Sequence, residues 1–196
     1  MHGLINRSIQ CFLRDTYGAD RWRGIALGAG LGFDNFEPML TYPPDQTDAV
    51  LRAAVAVLER PRDALLEDLG TYLVANRNLE AVRRLLRFGG VTFRDFLHSL
   101  DDMRGRGQLA LPDLDLPELQ LTETSPDNFT LLCRFRVQGI AHVLMGLLRS
   151  MADDYGALVL LDYLGSGPTG EMISIQLLEA RFAEGRRFDL SARIGG

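Results

Sequence analysis

The chain has 196 residues, 46% of them hydrophobic and 24% charged, a composition typical of one soluble globular domain. All 21 basic residues are arginine, which excludes lysine chemistry such as a Schiff base or a P-loop nucleotide site. A net charge of −5 disfavours nucleic acid or a membrane surface as partner, and three histidines and two cysteines match no zinc pattern, so we expect no metal site.

The first half of the chain predicts a succession of helices. Apolar residues recur there at helical spacing, and Gly, Pro or Asn separates one segment from the next. The predicted helices are residues 3–17, 20–27, 48–58, 64–76, 78–88 and 92–103. The run Gly105-Arg106-Gly107 then ends the helical pattern.

The second half predicts a sheet crossed by one long helix. Strand-like runs cover residues 118–122, 128–137, 157–163 and 172–178, and the helix covers 140–155. This order predicts an α+β fold in a single domain, residues 1–180, with a helical half (1–104) and a sheet-containing half (105–180). We expect the tail, residues 181–196, to pack loosely. No apolar run reaches 18 residues and no signal peptide is evident, so we expect a cytoplasmic protein with reduced thiols.

Several sequence landmarks occur in a fixed order along the chain. They are Met1-x-Gly3-x-Ile5-Asn6, Tyr17-Gly18, Trp22 with Ile25, Phe93 to Leu100 followed by Asp101, and Gly139-Ile140-x-x-Val143-x-x-Gly146-Leu147. On these landmarks, residues 1 to about 165 resemble the heme nitric-oxide/oxygen binding (H-NOX) family, which includes the sensor domain of soluble guanylate cyclases and stand-alone bacterial gas sensors. The resemblance implies N-terminal helices packed on a four-stranded antiparallel sheet with a long helix, enclosing a heme between the two halves.

The family's axial histidine has no counterpart in this sequence. The family pattern Leu-Asp-x-x-His is here Leu100-Asp101-Asp102-Met103-Arg104, and Pro112 and Pro117 follow at the family's spacing. Arg104 therefore stands at the axial position, where a protonated guanidinium has no lone pair for iron. Two readings stay open: Arg104 is exposed in the last turn of a helix, or it points inward and meets Asp101, another carboxylate or an anionic ligand.

The family's Tyr-x-Ser-x-Arg signature, which holds the heme propionates, is also altered. Depending on the register, its positions fall on Arg134, Arg136 and Gln138 or on Cys133, Phe135 and Val137. Side chains alternate across a strand, so the two registers are opposite faces of one element. We favour the apolar face as core, which leaves Arg134 and Arg136 exposed or in a polar pocket.

No other residue is a good candidate for binding iron. His98 lies about 120° around the helix from Arg104, His142 is expected at the surface, and Cys133 is expected to be a small core residue. We assign His2 no role. The resemblance places Val143 where oxygen-binding members carry a tyrosine, with Ile5 nearby, so the distal side is apolar. The predicted ligand pocket, the family's heme cavity, comprises Ile5, Arg104, Pro117, Arg134, Arg136 and Val143.

These observations predict a sensory or regulatory domain without conventional histidine-ligated heme, working with no ligand or with a different one. The alternative is a heme-based nitric oxide sensor with unconventional ligation. No catalytic constellation is evident, so we do not expect an enzyme. Residues 165–196 are too few for an output domain, and we therefore expect a signalling partner in trans: a histidine kinase, a nucleotide cyclase or a cyclic-di-GMP enzyme.

Overall fold

The helical periodicity of the first half produces seven helices in the part of the chain described by the computed structural model, residues 1–76, 80–110, 113–182 and 185. Their bounds are α1 (Gly3–Tyr17), α2 (Ala19–Gly28), α3 (Pro44–Leu58), α4 (Arg62–Ala75), α5 (Glu80–Arg87), α6 (Phe93–His98) and α7 (Met103–Ala110). Gly18 ends α1 with a φ of 96°, a conformation that glycine adopts without strain.

The second half contains the sheet and the long helix. The elements are β1 (Glu118–Ser125), β2 (Asn128–Arg134), α8 (Ile140–Tyr155), β3 (Leu158–Gly167) and β4 (Gly170–Glu179). The strand order is β1-β2-β4-β3, and every neighbouring pair is antiparallel. Alternate residues of β2, namely Phe129, Leu131 and Cys133, are buried on the core face. The predicted α+β class and the apolar face of this strand are both confirmed.

Helix α8 lies between α4 and the sheet. Ten of its 16 residues are buried, because it packs on both neighbours rather than on one. A Cβ atom on Gly70 of α4 would lie 1.9 Å from the carbonyl oxygen of Val143, and one on Gly146 of α8 would lie 1.9 Å from that of Glu67. The two backbones therefore touch, and only glycine fits at either position. We call this contact the α4–α8 seam.

The buried side chains form two hydrophobic clusters. One belongs to α1–α4 and is centred on residues such as Leu13, Ile25 and Leu65. The other joins the sheet to α6 and α8 through residues such as Phe96 and Leu148. The seam brings these clusters side by side.

One predicted helix, residues 92–103, is wrong. A capping box between Thr92 and Asp95 starts α6, which ends at His98, and a separate helix begins at Met103. Between them, the Asp101 carboxylate accepts a hydrogen bond from the Leu121 backbone N–H at 2.7 Å. This contact with β1 fixes the intervening turn, so residues 105–107 lie inside α7 instead of ending a helix.

Several predicted ends also shift. Helix α3 begins at Pro44 rather than at residue 48, because proline is well suited to the first helical turn. Strand β2 ends at Arg134 rather than at residue 137, while β1 continues to Ser125. The predicted helix start at residue 78 and most of the predicted tail, residues 183–184 and 186–196, lie outside the described residues.

Candidate ligand cavity

A cavity of about 260 Å³ lies between the first helices and α8. Its walls come from α1, α3, α4, α5, α7 and α8 and from residues 114–117, 135 and 137–139. The lining side chains are almost all apolar; they include Ile5, Ile9, Leu51, Leu66, Leu69, Leu73, Leu86, Met103, Leu116, Pro117, Phe135, Val137, Val143, Leu144 and Leu147. Residues of both hydrophobic clusters contribute to the lining, so the cavity lies where the two clusters are not packed against each other.

Three of the four polar side chains in the lining, those of Ser8, Thr47 and Asp115, are already engaged within the protein, and the fourth, Gln138, is exposed. The Ser8 hydroxyl donates to the backbone oxygen of Leu4 at 2.9 Å, and the Thr47 hydroxyl donates to Asn6 Oδ1 at 2.7 Å. Asp115, at the rim, forms an ion pair with Arg136 at 2.6 Å between Oδ2 and Nε. These groups therefore offer little to a polar ligand.

Three of the six predicted pocket residues line this cavity. Ile5 comes from α1, Val143 from α8, and Pro117 from the segment before β1. Three different parts of the chain thus converge as the resemblance implies. Their role in binding a ligand stays a prediction.

Arg104 does not line the cavity. It is exposed, whereas its neighbour Met103 is 8% exposed and contributes to the lining. One residue corresponds to about 100° of rotation on a helix, so the start of α7 at Met103 turns that side chain inward and Arg104 toward solvent. Of the two alternatives for Arg104, the structure therefore shows the exposed side chain. The predicted position in the last turn of a helix is wrong, however, because Arg104 lies in the first turn of α7, where the helix dipole does not favour a cation.

Arg134 and Arg136 also lie outside the lining. Arg134 pairs with Glu118 at 2.8 Å and donates to the Thr169 backbone oxygen at 2.8 Å. Together with Arg136 it borders a separate polar depression beside the turn between β3 and β4. Both guanidinium groups are thus held by protein oxygens at the surface.

Within the described residues, no histidine or cysteine side chain lines the cavity. His2 caps α1 by accepting a hydrogen bond from the Leu4 backbone N–H, and His98 is half exposed beside Glu123. The expectation that His142 is a surface residue is wrong. It is 8% exposed, with its ring 4.6 Å from that of Tyr163, because α8 is covered here by both α4 and β3.

Cys133 is a core residue, as predicted. It is 1% exposed, and burial together with the nearby Glu171 carboxylate raises the pKa of its thiol to about 12. A neutral thiol at physiological pH is a poor metal ligand. No group of three or more His, Cys, Asp and Glu suited to a metal ion is found in the ranges that the structure describes.

Two residues that matter to the site were missed by the sequence reasoning. Met103 could not be identified from the sequence, because its inward orientation depends on where α7 begins. Glu171, on β4, is 6% exposed and accepts hydrogen bonds from the backbone N–H groups of Gly139 at 2.7 Å and Ala141 at 3.0 Å. It caps the start of α8, where a negative charge is favoured. No local signal could have revealed it, since Gly139 and Glu171 are 32 residues apart.

The lining does not fit a heme held by imidazole. The α7 position that faces the cavity carries a thioether, Met103, and an acidic side chain, Asp115, lies at the rim. The arginines that could meet propionates are paired with Glu118 and Asp115. Among the described residues that line the cavity, no histidine offers an axial imidazole, and the two arginines considered for the propionates are already paired.

Comparison with known proteins gives a consistent result. Residues 2–161 match the family model described as Haem-NO-binding. The chain is 25% identical over 154 residues to the soluble guanylate cyclase gcy-31 of Caenorhabditis elegans, covering 79% of this chain and 22% of that protein. It is 23% identical over 164 residues to the soluble guanylate cyclase 89Db of Drosophila melanogaster, covering 84% and 24%. The chain therefore spans about a quarter of the length of these relatives.

Solved structures share the fold. An Fe(II) unliganded H-NOX protein from K. algicida superposes with a TM-score of 0.75 at 17% identity, covering 91% of this chain and 97% of that one. A mutant of the T. tengcongensis H-NOX superposes with a TM-score of 0.76 at 13% identity, covering 92% of this chain and 99% of that one.

Across the described residues, no helix is both long enough and apolar enough to cross a membrane.

Proposed function

The chain belongs to the Haem-NO-binding family, and we propose that it is a sensory regulatory domain that holds no histidine-ligated heme. Its cavity then works empty or with another ligand. Its output goes to a signalling protein in trans: a histidine kinase, a nucleotide cyclase or a cyclic-di-GMP enzyme. The relatives that support a cyclase partner are named soluble guanylate cyclases.

The observation that carries this proposal is the orientation of α7. Met103 faces the cavity, whereas Arg104, which the resemblance assigns to the family's axial position, faces solvent. An inward arginine at this place would in any case be unable to bind iron, because its guanidinium stays protonated. We further propose that the domain is not itself an enzyme and acts in the cytoplasm.

A second candidate function, a heme-based nitric oxide sensor with unconventional ligation, is favoured by one observation. The sulfur-bearing Met103 is part of the lining, and a methionine thioether is an established axial ligand of heme iron. In this candidate Met103 binds the heme iron instead of only lining the cavity, and the Soret absorbance of the purified chain tests it.

The decisive experiment is purification of the chain from cells supplied with a heme precursor, followed by measurement of the Soret absorbance per chain. We expect no stoichiometric Soret band. A full-occupancy band that shifts on addition of nitric oxide would overturn the proposal. In that event Met103→Leu, a volume-conserving change that a core tolerates, decides the second candidate: loss of the band supports thioether ligation, and its retention excludes it.

A matched pair of variants tests the orientation of α7 directly. Met103→His directs an imidazole into the cavity, whereas Arg104→His directs one toward solvent. We expect the first variant to retain more heme than the second, measured as Soret absorbance per chain. More heme in Arg104→His than in Met103→His would mean that residue 104 faces inward.

A further inference from the structure

We propose that the cavity binds a small, neutral, apolar molecule, and that this molecule takes the place of heme as the ligand of the domain. This inference rests on the proposed function, because it names the ligand class for the same site. It is carried by the chemistry of the lining, the charge at the rim and the position of the cavity between the two cores.

The lining offers mainly apolar contacts, and its one amide side chain, Gln138, is exposed. Its hydroxyl groups, on Ser8 and Thr47, already donate their protons to protein oxygens. A ligand hydroxyl or amide entering the cavity would lose its hydrogen bonds to water and find few replacements. Apolar cavities of about 150 Å³ stay dry and bind benzene or xenon, and this cavity, at about 260 Å³, is larger.

The rim disfavours a charged ligand. Asp115 is part of the lining, and its ion pair with Arg136 carries no net charge, so an anion such as a fatty acid or a porphyrin propionate would lose its hydration there without gaining a cationic partner. Arg136 already neutralises that carboxylate at 2.6 Å, so a cation would have to displace an existing partner. A neutral molecule avoids both costs.

The position of the cavity gives the ligand a structural effect. Leu51 and Leu69 line it from the cluster of α1–α4, and Met103 and Leu147 line it from the cluster of the sheet half. A molecule that contacts both sets completes the packing between two cores that otherwise meet along the α4–α8 seam. Binding therefore stabilises the folded domain as a whole.

The test is thermal unfolding of the full chain with benzene as the apolar probe and phenol as its polar counterpart. We expect free benzene at about ten times its Kd to raise Tm by about 3–6 °C. We expect phenol to bind at least about fivefold more weakly, since its hydroxyl finds no partner. Equal affinities for the two probes would overturn the inference.

Variants locate the site. Ile5→Phe on α1 and Leu73→Phe on α4 each fill part of the cavity from a different side, and both are expected to remove most of the benzene shift. Leu27→Phe, at an 84% exposed position on α2, is the matched control and is expected to retain it. Two cavity variants allow for one that fails to fold; an undiminished shift in a folded cavity variant overturns the proposed site.

A parallel titration with hemin separates this inference from the proposed function. No benzene shift together with no hemin binding would overturn the ligand class and leave the proposed function standing. Stoichiometric hemin binding with a Soret band would overturn both. A benzene shift without hemin binding is the expected result.

Discussion

Two walls of the cavity differ in what an added methyl group would meet at a glycine: one wall is formed by α4 and α8, and the other by α7. At the α4–α8 seam, a Cβ on Gly146 would meet a backbone carbonyl at 1.9 Å. In α7, a Cβ on Gly107 would meet the Cδ1 atom of Leu116 at 2.3 Å. One obstacle is fixed backbone, and the other is the end of a flexible side chain.

The difference separates a rigid wall from an adaptable one. The seam holds its geometry because α8 is packed between α4 and the sheet, and α4 is packed in turn on α1 and α3. The α7 wall consists of a short helix and residues 114–117, whose side chains can change rotamer into the neighbouring cavity. A ligand that fills the cavity is therefore expected to reshape the α7 wall and leave the seam in place.

The largest expected effect is that of Gly146→Ala. The added methyl group must force two backbones apart, and we expect the free energy of unfolding to fall by about 3 kcal/mol, the upper part of the usual range for overpacking. Gly107→Ala is the matched change in α7 and should alter stability by less than about 1 kcal/mol, because Leu116 can move and alanine favours the helix. Urea unfolding measures both.

A third glycine serves as the control for helix propensity. Nothing lies within 4 Å of a Cβ on Gly105, so Gly105→Ala should stabilise the protein by about 0.5–1 kcal/mol. Similar losses for Gly146→Ala and Gly107→Ala would abolish the distinction between the two walls.

The next largest effect is expected at the start of α8. Glu171→Ala leaves the N–H groups of Gly139 and Ala141 without their carboxylate, and we expect a loss of about 2 kcal/mol, within the range for buried unsatisfied donors. Glu171→Gln keeps one acceptor oxygen and should lose less. Glu118→Ala, which removes an exposed ion pair with Arg134, is the control and should change stability by less than about 1 kcal/mol. If Glu118→Ala lowered the free energy of unfolding as much as Glu171→Ala, the cap on α8 would stabilise the protein no more than an exposed ion pair does.

A smaller loss than that of Glu171→Ala is expected at the start of α6, the helix that precedes α7 in the chain. Thr92→Ala removes one half of the capping box and should lower the free energy of unfolding by about 1 kcal/mol.

Hydrogen bonds from the backbone and side chain of Thr92 lower the pKa of Asp95 below its ordinary value of 3.8. The ionised form is thus favoured in the folded state, so its contribution is present above pH 4 and is lost as the pH falls further.

Urea-induced unfolding, measured at several pH values, tests the predicted loss of stability at low pH. Stability should decline below pH 4 less steeply in Asp95→Asn than in the unaltered protein. An equal decline in both would show that other carboxylates account for it.

Local sequence signals predicted one side of the cavity better than the other. The long helix was predicted to the residue, since its apolar periodicity is strong and glycines with positive φ flank it at Gly139 and Gly156. The break between α6 and α7 was missed because its cause is remote: Asp101 bonds to Leu121, in a strand that forms later in the chain. Propensity within a single segment cannot report such a contact.

The site residues divide in the same way between those that the resemblance predicted and those that depend on remote contacts. Ile5, Pro117 and Val143 were found through the resemblance, because their elements lie where the family has them. Arg104 was placed at the family's axial position by the same resemblance, with its inward or outward orientation left open. The new start of α7 turns Met103 inward instead, and only the tertiary structure determines where that helix begins. His142 was assigned to the surface for a related reason: β3, which covers it, follows it in sequence.

The carboxylate that caps α8 also imposes an order on biosynthesis. Glu171 is translated 32 residues after Gly139, an interval of about 2–6 s at ordinary rates of chain elongation. During that interval residues 140–155 have been synthesised, but the carboxylate that bonds the first amide groups of α8 has not. Helix and sheet therefore become one folding unit only when the last strand pairs, and the rigid wall of the cavity is completed after the adaptable one has been synthesised.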